Sequence, residues 1–284
     1  MPHINPTWQL AVATAVVLLV LAALLHLAGW AKTAAAAREV TLVASLYAGW
    51  QLIGTLTQRN VDGATAHARA IWHAQQALHL PSELALQQAV LPYPWLVQLC
   101  NSYYLYGHLN PVIGLLAWVW LRYRAAYPRV RLLLGLLTAA AFVMHFVPVA
   151  PPRLMPELGF RDVALEYGQS VYGSFGSGIP GQLLAMPSLH VGWAVLLAYV
   201  VVTTSRSRWR WLSVLHPVAM TLDVTVTANH WWADGVVAVV LLALCVAAER
   251  AGAALRQRRR GATGGALEPV PARLTGAAPV SDLL

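Results

Sequence analysis

Apolar runs long enough to cross a hydrocarbon layer alternate along the chain with short polar stretches. A layer of roughly 30 Å takes about 20 helical residues to span, and the runs 8–30, 40–57, 97–121, 132–150, 187–204, 211–228 and 232–249 approach or reach that length. The second is short and is interrupted by Gln51. Two connections, 58–96 and 151–186, are too long to be simple turns, and alternation of the runs puts both on the same side. Within the first, Ala66 to Leu80 carries Ile71, Trp72, Ala74, Leu78 and Leu80 among polar residues. That pattern reads either as an interfacial helix lying along the bilayer or as an ordinary helix packed on the bundle. The runs predict an all-α fold: a polytopic membrane helix bundle of six core transmembrane helices, with one more at the N-terminus.

Composition agrees with this. The chain is 58% hydrophobic and 11% charged, about half the charge share of a soluble domain, so it cannot cover a soluble surface. A net charge of +8 raises nucleic acid as a partner. The basic residues, however, are not gathered on an amphipathic face with interleaved aromatics, which argues against one. They sit between the apolar runs. Assigning alternate loops to opposite sides leaves Arg59, Arg69, Arg153 and Arg161 on one side and the other 15 of the 19 Lys and Arg residues on the other. By the positive-inside rule the rich side is cytoplasmic. The N-terminus and the connections 58–96 and 151–186 are therefore expected outside, and the C-terminus inside. A cleaved signal peptide is the rival reading of 8–30, but the positive charges Lys32 and Arg38 follow that run rather than precede it. Cys100 and Cys245 fall in or beside apolar runs and suggest neither a disulfide framework nor a cysteine metal site.

Polar groups at the mouth of a membrane bundle are costly to bury and are therefore functional candidates. His190 closes Met186-Pro187-Ser188-Leu189-His190, where Pro187 or Ser188 would start a helix running inward. A helix start offers free N–H groups and a positive dipole end, which suits an anion such as phosphate. His230 and Asp234 stand at the start of the next inward-running helix, four residues apart and so on one helical face. An aspartate on one ring nitrogen fixes the tautomer and leaves the other nitrogen as base or nucleophile. His26, His145 and His216 read as packing residues. The third run opens with Asn101, Ser102, Tyr103, Tyr104, Tyr106, His108 and Asn110; this cluster, with His108 on it, would line a headgroup pocket or serve as an aromatic belt. Gly173, Gly176, Gly178 and Gly181 allow close backbone approach to a phosphate or simple flexibility. With no preceding strand and no following Lys-Ser or Lys-Thr they do not form a nucleotide P-loop. Asp223 lies seven residues from both His216 and His230, and no role follows from its position alone.

Pro187-Ser188-Leu189-His190, followed some 40 residues later by His230-Trp231-Trp232-Ala233-Asp234, resembles two signature motifs of the type 2 phosphatidic acid phosphatase superfamily, PSGH and SRxxxxxHxxxD. The resemblance extends over about Val40 to Glu249. It implies that His230 attacks phosphorus, Asp234 orients it, His190 protonates the leaving oxygen, and the site faces outward. The chain departs from the pattern in that Leu189 replaces the glycine of PSGH and Val224 the arginine of SRxxxxxHxxxD. Of the first motif, KxxxxxxRP, only Arg153 remains, with Phe146 and Leu154 at the lysine and proline positions. Such departures are similar to those of the branch resembling inositol phosphorylceramide synthase, which transfers a phospho-headgroup between lipids.

Arg153 becomes the expected phosphate ligand, with Arg161 in reserve and Ser188 and His108 as further substrate-binding candidates. The alternative for Arg153 is a juxtamembrane arginine that snorkels to headgroups. The expected partner is a membrane phospholipid or other lipid phosphate, with water or an alcohol as acceptor. No metal or other cofactor is required if Arg153, helix-start N–H groups and the two histidines meet the charge on the phosphorus oxygens. Two rivals stay open: a metal-dependent hydrolase that holds zinc with the same His190, His230 and Asp234, and a non-catalytic phospholipid-binding protein. By this reading 1–39 holds the extra helix and a cytoplasmic linker, 40–250 the phosphatase-like membrane domain, and 251–284 a basic, then disordered, cytoplasmic tail.

Overall fold

The computed structural model describes residues 8–173 and 181–264. Helices dominate it and no strand is formed among the described residues, so the all-α expectation holds. Four helices are long and apolar enough to cross a membrane: Trp8–Leu27, Ala31–Thr57, Tyr127–Met144 and Trp232–Arg258. Leu109–Arg122 and Leu189–Thr204 are shorter apolar helices. The chain divides into two compact units, Met1–Cys245 and Val246–Leu284. The core and the candidate site described below lie in the first.

Helix α1 (Trp8–Leu27) turns through Gly29 into α2 (Ala31–Thr57), and the two pack along each other. The expected linker up to residue 39 is therefore helix. Ala34 to Ala37 have high helix propensity, and the run 40–57 is the later part of one continuous element. Gln51 does not interrupt it, because its buried side chain donates to Tyr47 Oη at 2.6 Å, one turn earlier. The third run is two helices rather than one, α5 (Pro94–Tyr106) and α6 (Leu109–Arg122). Pro111 has no N–H to offer Gly107 and its ring crowds that carbonyl. The break falls at Gly107 and His108.

Helix α7 (Tyr127–Met144) packs on α2, α6 and α9 (Leu189–Thr204), and α9 packs on α10 (Leu215–Val226). The sixth run enters α10 through a 3-10 segment, Arg208–Val214. A methyl group added at Gly192 of α9 would stand 3.3 Å from Leu137 of α7 and 3.4 Å from Ala238 of α11 (Trp232–Gly264), so three helices converge there because the side chain is absent. Helix α11 continues well past residue 249, and the tail expected over 251–284 as basic, then disordered, is helical through Gly264; the rest of it lies outside the described residues.

The two long connections meet at one end of the helices. Helix α3 (Val61–Ala77), capped by Asn60, buries Ala64, Ala68, Trp72 and Gln75 along one stripe, so it packs on its neighbours, and α4 (Glu83–Val90) follows with Ser82 as its cap. The connection 151–186 contains two 3-10 turns, Pro152–Leu154 and Pro156–Leu158, and the short α8 (Val163–Glu166). It returns to lie against Val149, whose N–H donates to Leu183 O at 2.9 Å and whose carbonyl accepts from Ala185 N. Gly176 and Gly178 lie outside the described residues. At Gly181 glycine is required on steric grounds: φ is +94°, and a Cβ would stand 2.5 Å from the Trp50 ring. A core of Ala64, Ala68, Trp72, Val149, Ala150, Met155, Phe160, Leu183, Ala185, Ala228 and Trp231 ties α3, both arms of the 151–186 connection and the α10–α11 turn together.

Candidate active site

The turn between α10 and α11 presents His230. Ala228 adopts a left-handed conformation, φ +56°, which costs a non-glycine residue on the order of 1–2 kcal/mol. The turn is held by Asn229 N and His230 N donating to Val224 O at 2.9 and 3.1 Å, and by Arg153 N donating to Ala228 O at 2.8 Å. Trp231 anchors it further: its indole N–H donates to Ala150 O at 2.9 Å, and its ring meets Phe160 edge-on.

His230 Nδ1 lies 2.8 Å from Ala185 O and 3.2 Å from Asp234 Oδ2. Both are acceptors, so Nδ1 must carry the proton, and the lone pair resides on Nε2. Nε2 has no hydrogen-bond partner among the described residues. Asp234 is fully buried, and its Oδ2 also accepts from Trp231 N at 2.9 Å. The carboxylate thus sits behind the ring, and it does not share a point in space with Nε2.

His190 is the second residue of α9, two after its Ser188 cap, and its ring centroid is 5.6 Å from that of His230. Tyr104 stacks on one side of His190 at 4.2 Å and His108 lies at 4.0 Å; His108 in turn stacks on Trp193. The break between α5 and α6 is what brings His108 to this position. Arg153 is buried rather than snorkelling: Nε donates to Asn229 Oδ1 at 3.1 Å, Nη1 pairs with Asp162 at 2.8 Å, and Tyr172 covers the guanidinium. Nη2 has no hydrogen-bond partner among the described residues.

A cavity of about 260 Å³ is lined by His190, His230, Arg153, His108, Tyr104 and Asn229 among others. Among the described residues of that lining, Arg153 is the one arginine or lysine. The sequence-chosen residues are thus brought together in large part, with three exceptions. Asp234 stands behind His230. Ser188 is buried and spends its hydroxyl on the N–H of Val191, at 3.3 Å, while its own N–H donates to Asp234 O. Arg161 lies outside the lining, its half-exposed guanidinium tied to Glu166 at 2.6 and 2.9 Å.

Sequence reasoning passed over Asn229, Asp162, Tyr172 and His145. Asn229 is adjacent to His230, and Asp162 follows Arg153 by nine residues, but neither spacing is distinctive. His145 was expected to be a packing residue; it lines the cavity, with Nε2 3.4 Å from Pro187 O. Of the other two histidines, His216 pairs with Tyr103 and His26 with Arg38. Asp223 is buried with Oδ2 unpartnered, outside this cavity. At the positions that depart from the motifs, Phe146 is exposed, Leu189 lines the cavity, and Val224 packs with Tyr104, Val191, Ala194 and Met220. Among the described residues no group of three or more His, Cys, Asp or Glu side chains is arranged to hold a metal ion.

The family model described as the PAP2 superfamily matches residues 69–248. The chain belongs to the PAP2 superfamily. The matched segment runs from α3 into α11 and contains every cavity residue named above, together with Asp234 and Ser188. No curated protein and no solved structure matches the chain. PAP2 superfamily members are generally phosphatases, and membership points to phosphatase or phosphotransferase activity on phosphate esters.

Proposed function

We propose that this PAP2 superfamily member is a membrane enzyme that cleaves or transfers the phosphoryl or phosphodiester group of a lipid phosphate through a phosphohistidine on His230. One observation carries the reading: Nδ1 of His230 is held between Ala185 O and Asp234, so the Nε2 lone pair is available in a cavity shared with His190 and Arg153. Nε2 attacks phosphorus, and the bond to the leaving oxygen breaks with its electron pair going to that oxygen, which takes a proton from His190. Water or a second alcohol then gives its proton back to His190 as its oxygen attacks, and the P–N bond breaks toward Nε2. Arg153 meets the equatorial oxygens, where charge grows in the transition state.

Asp234 stabilises the charged ring that forms at each step. Its carboxylate faces Nδ1 and Trp231 N rather than the cavity, which favours an orienting role over metal ligation. We further propose that the cavity opens on the outer side of the membrane, in line with the distribution of basic residues, and that 40–250 forms the catalytic domain. The replaced lysine and arginine positions favour headgroup transfer, as in the branch resembling inositol phosphorylceramide synthase.

The test is to quench purified protein during turnover of a lipid phosphate radiolabelled at phosphorus, with and without a long-chain alcohol. The expected result is protein-bound label that is stable to base and labile to acid, absent in His230→Ala. That variant should lose at least about three orders of magnitude in kcat. Released phosphate without alcohol, against new phospholipid with it, separates phosphatase from transferase. A His230→Ala protein with ordinary turnover would end the covalent mechanism, and activity abolished by chelator and restored by zinc would end the metal-free one.

A further inference from the structure

The first N–H groups of a helix have no partner within it and are usually satisfied by a capping side chain just ahead. At α11 the nearby side chains are committed elsewhere: His230 faces the cavity, and Asp234 is shared between His230 Nδ1 and Trp231 N. The next two N–H groups find their acceptors far away in sequence. Trp232 N donates to Glu83 Oε1 at 3.1 Å, and Ala233 N donates to Gln75 Oε1 at 2.9 Å. Gln75 Nε2 donates to Glu83 Oε1 at 2.6 Å, which closes a ring across α3, α4 and the start of α11. Just before α4, Pro81 O accepts from the Trp232 indole at 2.8 Å. Glu83 is 1% exposed and Gln75 5%. Burial pushes the Glu83 carboxyl above its usual range, against the hydrogen bonds from Trp232 and Gln75 that lower it. A buried carboxyl outside the cavity is costly unless its bonds accomplish something.

We infer that Glu83 and Gln75 are positioning residues for the proposed reaction: they fix the start of α11, and with it the Asp234 carboxylate behind His230. The inference rests on the reading of His230 as nucleophile. The cap α3–α4 uses the same device on the other wall, since Gln87 Nε2 donates to Arg161 O at 2.9 Å and Gln87 Oε1 accepts from Arg161 N at 3.0 Å. That bond pair tethers the chain next to Asp162, the partner of Arg153. The effect of Glu83 on catalysis is therefore geometric. A shift of about 1 Å in a catalytic group can cost on the order of 100-fold in rate.

The test compares Glu83→Ala, Glu83→Gln and Gln75→Met in the full-length protein, with His230→Ala as reference, by steady-state kinetics and by the rate of label transfer to protein. Glu83→Ala should lower kcat and the rate of labelling together by about 10- to 100-fold with KM within about twofold. Glu83→Gln keeps an acceptor for Trp232 N and should restore most of the loss. Gln75→Met, which removes the acceptor for Ala233 N and the donor to Glu83 while leaving Glu83 to accept from Trp232 N, should fall between, and it decides the matter if Glu83→Ala does not fold. Unchanged kcat in folded Glu83→Ala or Gln75→Met, or a change in KM alone, overturns the inference. Turnover retained in His230→Ala overturns instead the reading beneath it, so the two failures are distinct.

Discussion

The orientations of His230 and Arg153 are fixed by hydrogen bonds to neighbouring groups. His230 owes its tautomer to Ala185 O and Asp234, and Arg153 spends two of its nitrogens on Asn229 and Asp162, leaving Nη2 as the donor that the proposed reaction requires. Three predictions belong at this scale. Asp234→Asn keeps the size of the side chain but removes the charge that balances the imidazolium, so kcat should fall by about 100- to 10,000-fold with the fold intact; stopped-flow labelling and a thermal melt of the same sample check this. Arg153→Ala should weaken vanadate inhibition and turnover together, because vanadate imitates the five-coordinate phosphorus that the guanidinium serves. Arg161→Ala, which removes an exposed pair with Glu166 outside the cavity, should leave both within about twofold. An inhibition constant that is the same in Arg153→Ala as in the wild type would reduce that arginine to an anchor.

At the scale of elements, the site depends on where helices start, stop and approach. Gly192 lies two residues into the helix beyond His190, and Leu137 and Ala238 occupy the space a side chain would need. Gly192→Val must push α9 away from α7 or α11, which should cost about 1–3 kcal/mol of stability and misplace His190 relative to His230. The expected outcome is a lower unfolding midpoint in detergent, with folded protein that is also impaired in turnover. Normal turnover in Gly192→Val would mean that the two histidines tolerate movement of their helices. The break at Gly107 and His108 has a comparable consequence. It ends α5 two residues past Tyr104, and His108 comes to lie beside His190.

For the whole molecule, the partition of 15 basic residues against four predicts that reporters near Gln169 lie outside the cytoplasm and those after Arg260 inside. Accessibility labelling at the two positions checks it, and a cytoplasmic position for 151–186 would reverse the proposed outward face. What the sequence determined by itself is whatever depends on local pattern. Run length and polarity specify the helices, and a four-residue spacing puts Asp234 within reach of His230. Proline and serine before His190 mark a helix start. The tertiary structure decided what depends on segments distant along the chain. Gln75 and Glu83 are polar residues in a connection, without a distinctive spacing, until folding carries them to α11, some 150 residues further on. Asn229 and Asp162 acquire meaning only once Arg153 lies between them. In the sequence only a partial motif match separates Arg153 from Arg161, and packing buries the first at the cavity and leaves the second half-exposed. The physical reason is that hydrogen bonds and desolvation act over a few ångströms in space, and along the chain those ångströms coincide with near neighbours only inside a helix or a turn.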